Sequence, residues 1–308
     1  MITIQSISQY DKKNPSAITI GTFDGVHIGH KKILDRLMGS AKMLRLRATV
    51  LTFFPHPRMV LQQDSDIKLL NTIGEKIKIL EKTGLDCLII HPFTKEFSRL
   101  TATEFVKDIL VSQLNTQKII IGYDHRFGRN RNADISDLKT FGDAMNFGVE
   151  EIPAQEIDDV SVSSTKIRNA LMAGDIETAN SYLGYSYMLT GNVVKGRGLG
   201  RQLNFPTANI HIPETYKLVP KTGVYVVRSL LKGKHVNGMM NIGFNPTVAG
   251  TDQSLEVHFF DFDGDLYGYE IQVDLISRIR DEHKFNSLEA LKEQLEKDRQ
   301  TSLSILSK

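Results

Sequence analysis

The chain has 308 residues, more than most single compact domains contain, so two domains are expected. Hydrophobic residues make up 41% of the sequence and the net charge is +2, which indicates a globular protein and gives no reason in overall charge to expect nucleic acid or an anionic membrane as a partner. No apolar run approaches the roughly 20 residues of a membrane span, the start MITIQSISQYDKKN lacks a signal-peptide pattern, and the lone cysteine, Cys87, excludes an internal disulfide, so a cytoplasmic protein is expected.

The first half of the chain alternates short apolar runs with segments of helical periodicity. Strands are predicted over residues 18–21, 48–54, 87–91, 118–122 and 149–153. Between them, apolar residues recur at helical spacing over 28–41, 73–80 and 105–110. Strands that alternate with helices predict a parallel sheet with helices on both faces.

The stretch GTFDGVHIGH, residues 21–30, lies between the first predicted strand and the first predicted helix. Ligands of open parallel sheets bind at the carboxyl ends of strands, and the free N–H groups of a helix N-terminus favour anions. Gly21 and Gly25 allow turns that other residues avoid, and His27 and His30 can donate to phosphate. The alternative is one capping and one solvated histidine, but the placement favours a phosphate site.

Two further stretches follow later strands. TFFPHP, residues 52–57, combines turn-forming prolines with aromatic rings that can stack on a flat ligand, although an ordinary proline-bounded loop fits equally well. In GYDHRFG, residues 122–128, Arg126 can neutralise phosphate and Asp124 can accept a hydrogen bond, with a solvated turn as the alternative. SSTKIR, residues 163–168, opens another predicted helix, where its hydroxyls can cap; its cations oppose the helix dipole and indicate an anionic partner.

A further helix is predicted over 164–173, and the pattern changes after Tyr182. From there on, strand-like runs follow one another at 187–194, 223–230, 236–242, 255–262 and 269–276. Short turns are expected at Lys232-Gly-Lys234 and at Asp263-Gly264. Consecutive strands of this kind predict an antiparallel barrel or sandwich, and Leu288, Leu291 and Leu295 predict a closing helix. The domain boundary is placed at 183/184, which gives domains 1–183 and 184–308.

Three features of the second half suit phosphate chemistry. GRGLG, residues 196–200, can wrap phosphates with its backbone N–H groups, although a flexible turn fits as well. In FPTAN, residues 205–209, Thr207 and Asn209 offer hard oxygen ligands of the kind that Mg²⁺ accepts; capping or turn bonding is the alternative. Glu256 lies in an apolar strand and is a candidate general base if it faces the barrel mouth rather than water.

Together these motifs resemble a known family. GxFDGxHxGH with a later SSTxIR is similar to nucleotidyltransferases that activate ATP with an HxGH signature. The full set resembles the bacterial bifunctional riboflavin kinase/FAD synthetases, and the second half does so over nearly all of residues 185–300 through GRGLGR, FPTANI, KTGVY, NIGFNPT, LEVHFFDFDGDLYG and IRDEHKFNSLEAL. Two positions depart from the family pattern: His125 replaces phenylalanine and Asn204 replaces a common glycine.

The resemblance implies a Rossmann-like α/β nucleotidyltransferase domain followed by a six-stranded antiparallel barrel with a C-terminal helix. It implies that the second domain uses ATP to phosphorylate riboflavin to FMN. The first domain would then adenylylate FMN to FAD with a second ATP and release pyrophosphate. Mg²⁺ would serve both steps, and the partners would be riboflavin, FMN, FAD and ATP, with no nucleic acid.

The resemblance also implies roles for individual residues. The catalytic residues would be Glu256 as kinase base, with His27, His30 and Arg168 in the adenylyltransferase. ATP and its phosphates would be bound by Gly21, Phe23, Asp24, Gly25, Gly29, Ser164, Thr165, Gly196, Arg197, Gly198 and Gly200. Flavin would be bound by Phe54, Pro55, Pro57, Asp124, Arg126, Arg280, Glu282 and Phe285, and Mg²⁺ by Thr207 and Asn209.

Two other interpretations fit parts of the sequence. One is an HxGH adenylyltransferase acting on nicotinamide mononucleotide or phosphopantetheine, with an accessory barrel; PTAN and the Glu256 strand argue against it. The other is a flavin- or RNA-binding module that presents the basic loop 195–201. The balanced net charge and the scarcity of interleaved aromatics argue against RNA.

Overall fold

The computed structural model describes residues 1–62, 67–123, 125–153, 162–196, 198, 200, 203–247 and 250–307. Contacts within the chain divide it into two compact units, Met1–Ser163 and Ser164–Lys308. We describe each unit by itself.

The first unit is a parallel α/β sheet, as the alternating pattern predicted. Its strands and helices are β1 Ile2–Ile4, β2 Ser16–Ile20, α1 Ile28–Leu44, β3 Arg47–Phe53, α2 Pro57–Leu61, α3 Ile73–Glu81, β4 Cys87–His91, α4 Ala102–Glu104 with a π-helical continuation Phe105–Val111, β5 Thr116–Gly122, α5 Ile135–Met145 and β6 Gly148–Ile152. The sheet has six strands in the order β1-β4-β3-β2-β5-β6, and all neighbours are parallel. The predictions did not include β1, α2 or α5.

Both faces of this sheet are covered, which confirms the predicted arrangement of helices. All five residues of β2 are buried. On one face, Ile18 and Ile20 belong to a core that contains Phe105 and Leu110 of the π-helical segment. Strand side chains alternate between faces, and α1, which is absent from that core, contacts β2, β3 and β5 on the other side. β2 therefore lies at the centre of the unit, and its carboxyl end is fixed from both faces.

The second unit contains a closed antiparallel barrel, which decides between the predicted barrel and sandwich. Its elements are α6 Ser164–Ala173, α7 Ile176–Leu183, β7 Met188–Val194, β8 Ala208–His211, β9 Gly223–Leu231, β10 Lys234–Thr247, β11 Gly250–Phe259, β12 Glu270–Arg280 and α8 Leu288–Leu306. The strand order is β10-β11-β8-β7-β12-β9, with antiparallel neighbours. Within the described residues, no helix has the length and apolar character needed to span a membrane.

The two predicted hairpin turns have different outcomes. Lys232 and Gly233 have φ values of 49° and 80° and form the tight turn expected between β9 and β10. The prediction of a tight turn at Asp263-Gly264 is wrong, because β11 ends at Phe259 and β12 begins only at Glu270. The dipeptide therefore lies inside a longer loop.

Helices α6 and α7 pack with the barrel. The Asn180 side chain of α7 donates to the Leu275 carbonyl at 2.9 Å and accepts from the Tyr187 N–H at 2.7 Å. Gly174 joins the two helices with a φ of 84°, and a Cβ there would lie 2.7 Å from Cδ of Arg278 in β12. For these reasons the chain divides by contacts after Ser163, whereas the sequence predicted a domain boundary at 183/184.

Candidate active sites

Three of the predicted ligand-binding stretches follow neighbouring strands of the first unit. GTFDGVHIGH follows β2, TFFPHP begins at the end of β3, and GYDHRFG begins at the end of β5. Because β2 lies between β3 and β5 in a parallel sheet, all three stretches meet at one edge of the sheet. This crevice at the carboxyl ends of the strands is where open α/β sheets bind ligands.

The loop between β2 and α1 has an unusual backbone. Phe23, Gly25 and Val26 have φ values of 45°, 87° and 36°. A branched residue such as Val26 rarely adopts this region, so the loop holds strain that its surroundings must offset. The prediction of a special turn is confirmed at Gly25 but is wrong at Gly21, whose φ is not positive. Gly21 is constrained instead because a Cβ would lie 3.1 Å from the Phe23 ring.

Hydrogen bonds from residues outside this loop stabilise it. Asp24 is buried, and its Oδ1 accepts from the Leu70 N–H at 2.9 Å. The Thr22 carbonyl accepts from the Thr52 hydroxyl at 3.2 Å and from the Lys76 ammonium group at 2.7 Å. Asp24 therefore has a structural contact in addition to any role toward ATP. Thr52 begins one of the predicted ligand-binding stretches, whereas Lys76 was not predicted to be part of the site.

The two histidines form a stacked pair at the start of α1. Their ring centroids are 3.7 Å apart with an interplanar angle of 18°. His27 caps the helix, since its Nδ1 accepts from the His30 backbone N–H at 3.4 Å. His30 is not the solvated histidine of the alternative interpretation: its Nδ1 is buried and has no hydrogen-bond partner within the described part of the chain.

Burial keeps both imidazoles neutral. It lowers the pKa of His27 to about 4. Burial also lowers the pKa of His30 well below its usual value, and the charges of His27 and Lys76 lower it further. Near neutral pH the pair therefore offers N–H donors to a ligand without carrying positive charge.

The residues predicted to contact flavin in the first unit lie on both sides of β2. Phe54 and Pro55 follow β3 and are joined by a cis peptide bond, and Pro57 begins α2. Arg126 is exposed after β5, whereas Asp124 lies outside the described residues. Beside α2 is an open cavity of about 380 Å³ lined by Val60, Leu61, Lys95, Ser98 and Arg99.

The predicted residues of the SSTKIR stretch lie at the start of α6, which belongs to the second unit. Thr165 is exposed there, and Ser164 and Arg168 are half-buried. The stretch begins a helix, as predicted. These three residues thus belong to a different unit from the histidine pair.

A second polar cluster forms where β8 meets β11 in the barrel. The Thr207 hydroxyl donates to Oε2 of Glu256 at 3.4 Å, and Asn209 lies directly opposite Glu256 in the pairing of these strands. Gly196 approaches the same place so closely that a Cβ would overlap the Asn209 side-chain amide. The predicted metal ligands, kinase base and first loop glycine are therefore brought together.

Glu256 faces outward from the barrel, so the expectation that a base at this position would face the barrel mouth is not met; the residue is half-buried on the outer face. Its neighbours Leu255 and Val257 are buried in the core, so by strand alternation Glu256 points the other way, as does His258. Nδ1 of His258 lies 2.9 Å from the Pro206 carbonyl, and its ring contacts Phe205. Residues 205 and 206 thus anchor the segment that presents Thr207 to the carboxylate.

Two glycines before this segment, Gly198 and Gly200, are restricted by their backbone conformation or surroundings. The Gly200 carbonyl accepts from the N–H groups of Leu203 and Phe205 at 3.1 and 2.8 Å. A Cβ at Gly200 would overlap the Phe205 carbonyl, and Gly198 has a φ of 74°. Arg197 lies outside the described residues.

The remaining predicted flavin residues lie together at the end of β12. Arg280 pairs with Asp298 of α8, with Nη2 2.7 Å from Oδ2 and Nε 2.9 Å from Oδ1. The Arg280 guanidinium carbon also lies 5.8 Å from the centre of the Phe285 ring. Glu282 accepts from the Asn241 side chain at 3.4 Å.

Asp298 was missed in the sequence although a signal for it exists. It continues the helical spacing of Leu288, Leu291 and Leu295, so it falls on the face that packs against the barrel. A carboxylate on an otherwise apolar face predicts a buried cationic partner. Lys76 has a similar signal, because it lies three residues after Ile73 and four before Leu80 and so falls on the apolar face of α3.

Comparisons with known proteins agree with these two clusters. Residues 9–166 match the FAD synthetase family and residues 183–306 match the riboflavin kinase family. The bifunctional riboflavin kinase/FMN adenylyltransferase of Buchnera aphidicola is 39% identical over 303 residues, which cover 97% of this chain and 96% of the relative. The protein of the same name from Bacillus subtilis is 35% identical over 96% of this chain and 94% of its own length.

A solved structure shows that the whole fold recurs. A crystal structure described as a macrolide-efflux protein from Streptococcus pneumoniae is 30% identical, with a TM-score of 0.89 over 98% of both chains. The fold and its two clusters thus define a two-part transferase that uses ATP. The chain belongs to the bifunctional riboflavin kinase/FMN adenylyltransferase family, with the FAD synthetase region first and the riboflavin kinase region second. This confirms the predicted family, fold class and enzymatic nature.

Proposed function

We propose that the two polar clusters carry the two reactions of a bifunctional enzyme that converts riboflavin to FMN and FMN to FAD. The observation that supports this most directly is the convergence of Thr207, Asn209 and Glu256 in the barrel, apart from the histidine pair of the sheet. One cluster contains a carboxylate that can act as a base. The other contains neutral imidazoles that can donate hydrogen bonds to phosphate. The two reactions differ in the same way.

Riboflavin phosphorylation needs a base because a ribityl hydroxyl is a weak nucleophile. The hydroxyl oxygen would attack the γ-phosphorus of ATP, its proton would pass to the Glu256 carboxylate, and ADP would leave. The Thr207 hydroxyl donates to Oε2 of Glu256 and thereby orients that carboxylate.

The donors of this cluster also fit Mg²⁺. Among the described residues, no three His, Cys, Asp or Glu side chains converge on a metal site. Thr207 and Asn209 instead supply hydroxyl and amide oxygens, hard donors that suit an ion whose other ligands are phosphates and water. These two residues would hold the ion, which supplies neutralisation of phosphate charge when bound.

FMN adenylylation requires positioning rather than a base. The FMN phosphate is already ionised at neutral pH, since its second pKa is about 6. A phosphate oxygen would attack the α-phosphorus of ATP and pyrophosphate would leave. His27 accepts a hydrogen bond at Nδ1, so a neutral ring carries its proton on Nε2, where it can donate to a phosphate oxygen.

The finer predictions extend this assignment. Ser164, Thr165 and Arg168 would act on the ATP of the adenylyl site. The domain boundary is proposed at 183/184, because the sequence pattern changes after Tyr182. The matched families end at 166 and begin at 183. Phe54, Pro55, Pro57 and Arg126 would hold FMN, and Arg280, Glu282 and Phe285 would hold riboflavin. The cytoplasm, where ATP is abundant and Cys87 stays reduced, is the proposed compartment.

Incubation with riboflavin, ATP and Mg²⁺, followed by chromatography, tests the assignment. The wild-type chain should form FMN and then FAD. Glu256→Gln should lower FMN formation about 10²–10⁴-fold while FAD formation from supplied FMN persists. Glu270→Gln, at an exposed position of the same barrel, serves as the control. Loss of both reactions in Glu256→Gln would contradict the role of Glu256.

The histidine pair is tested in the opposite direction. His30→Ala should accumulate FMN because phosphorylation continues while adenylylation fails. His235→Ala, at an exposed position of β10, should behave as wild type. Unchanged FAD output from His30→Ala would rule out phosphate handling by this pair.

A further inference from the structure

Lys76 is a buried cation beside the histidine pair that no predicted role uses. Lys76 lies on α3 and is only 4% exposed, and its Nζ donates to the Thr22 carbonyl at 2.7 Å. Burial lowers the pKa of Lys76 to about 8, and the Asp24 carboxylate opposes this shift. The ammonium group is therefore mostly protonated at neutral pH. Keeping such a charge out of water is costly, so a compensating function is expected.

The contact of Lys76 falls at the start of the strained loop. Thr22 immediately precedes Phe23, where the backbone first enters the left-handed region, and the same loop reaches Val26 and then His27. The Thr22 carbonyl has a second donor, the Thr52 hydroxyl of β3, at 3.2 Å. Side chains from α3 and β3 thus hold one carbonyl from two directions, which keeps the loop in a conformation that its residues would otherwise avoid.

The charge of Lys76 also acts on His30. His27 and His30 are neutral near pH 7, so they offer hydrogen-bond donors but no positive charge to a polyanion such as ATP. The positive charge of Lys76 is one of the reasons that the pKa of His30 is low, so its field reaches that ring. Asp24 on the loop is the opposing charge that acts on Lys76.

We propose that Lys76 is a positioning residue for ATP in the adenylyl-transfer reaction: its ammonium group fixes the Thr22 carbonyl and supplies a buried positive charge to the loop that leads to His27 and His30. The proposal rests on the assignment of adenylyl transfer to the histidine pair. It does not require Lys76 to touch the nucleotide. Neutral imidazoles donate to the phosphates, while the buried cation holds their loop and makes the region attractive to anions.

The test compares Lys76→Met with Lys78→Met, a change of the same kind at an exposed position of the same helix. FAD formation from supplied FMN is measured over a range of ATP concentrations. Lys76→Met should raise KM for ATP about tenfold or more, the effect of losing one charge-assisted hydrogen bond. Lys78→Met should match wild type. Riboflavin phosphorylation by the same samples should be unchanged in both variants and reports on the rest of the chain.

Histidine titration separates a charge effect from simple loosening of the loop. In wild-type protein carrying ¹³C-labelled histidine, the titration of His30 should lie well below pH 6.5. Lys76→Met should move it upward because a neighbouring positive charge is gone, whereas Lys76→Arg keeps a charge and should keep it low. An unmoved His30 titration together with an unchanged KM for ATP in Lys76→Met would overturn the proposal.

Thr52→Val covers the case in which Lys76→Met does not fold. This variant removes the second donor to Thr22 and leaves the charge in place. We expect KM for ATP to rise several-fold while the His30 titration stays low. An unchanged KM here would overturn the loop-holding part of the proposal. Absence of FAD formation by the wild-type chain would contradict the assignment of adenylyl transfer itself, which keeps the two failures distinct.

Discussion

The ion pair between Arg280 and Asp298 ties the end of β12 to α8, and Asp298→Asn tests how much that tie contributes. The Asp298 side chain is 2% exposed and the Arg280 side chain 17%. Their nitrogen–oxygen distances are 2.7, 2.9 and 3.1 Å. The Gln294 side chain also donates to Asp298 at 2.9 Å. Asparagine keeps the shape of the side chain but removes its charge, so the Arg280 guanidinium loses its buried counter-charge.

The expected magnitude follows from that burial. Removing one partner of a buried pair costs about 3–5 kcal/mol because the other charge is left uncompensated. Arg280 keeps the Asp281 carbonyl as an acceptor at 3.0 Å and is partly exposed, which favours the lower end. At roughly 2–4 °C per kcal/mol for a unit of this size, a loss of about 3 kcal/mol lowers its Tm by roughly 6–12 °C.

Calorimetry, together with the riboflavin kinase activity that survives heating, measures this change. Asp261→Asn is the matched control, because Asp261 is 86% exposed and 3.7 Å from Nη2 of Arg299. An exposed pair of this kind contributes at most about 1 kcal/mol. If Asp298→Asn and Asp261→Asn shift Tm equally, the buried pair is not what holds α8 to the barrel.

Three other predictions follow from single sites. Gly196→Ala should lower riboflavin kinase activity at least about tenfold, since its Cβ would displace the Asn209 amide, whereas Gly39→Ala, which meets no atom within 4 Å, should not; equal activities would contradict the overlap. Burial lowers the pKa of His27 from 6.5 to about 4, so as pH falls the unfolded chain binds a proton before the folded protein does. Up to about 3 kcal/mol of stability is therefore lost between pH 6.5 and about pH 4. Urea unfolding at several pH values should show this loss and His27→Gln should reduce it; identical profiles would refute it. Burial raises the pKa of Cys87 to about 11, so a thiol reagent should react only after urea is added, and rapid reaction of the native protein would contradict this.

The predicted parts of the fold are those whose strands and helices have a clear hydrophobic pattern in their own residues. β2 through β5 are apolar runs of five to seven residues, and α1 has a long apolar periodicity. β1 and β8 have only three and four residues, too short for a periodic signal. Their pairing partners, rather than their own residues, make them strands.

The predicted site residues were likewise those carried by compact motifs. The histidine pair lies within a single turn of helix, and Thr207 and Asn209 are two residues apart, so their shared location is local. The contact of Thr207 with Glu256 spans 49 positions and that of Lys76 with Thr22 spans 54. Such contacts depend on how the strands and helices assemble. These contacts could not be predicted from residue spacing. The resemblance to a family indicated only the one that involves Glu256.

The packing of α6 and α7 bears on whether the two activities can be divided into separate proteins. A chain ended at residue 183 would carry away both helices and expose the apolar residues that the barrel unit buries, namely Ile167, Leu171, Ile176, Ala179 and Leu183. A chain begun at Ser164 would keep those residues covered but would take Ser164, Thr165 and Arg168 with the kinase. The segment belongs structurally to one half and, by family resemblance, chemically to the other. On the proposed roles of Ser164, Thr165 and Arg168, residues 164–183 serve both halves, which gives the fusion of the two enzymes on one polypeptide a physical basis.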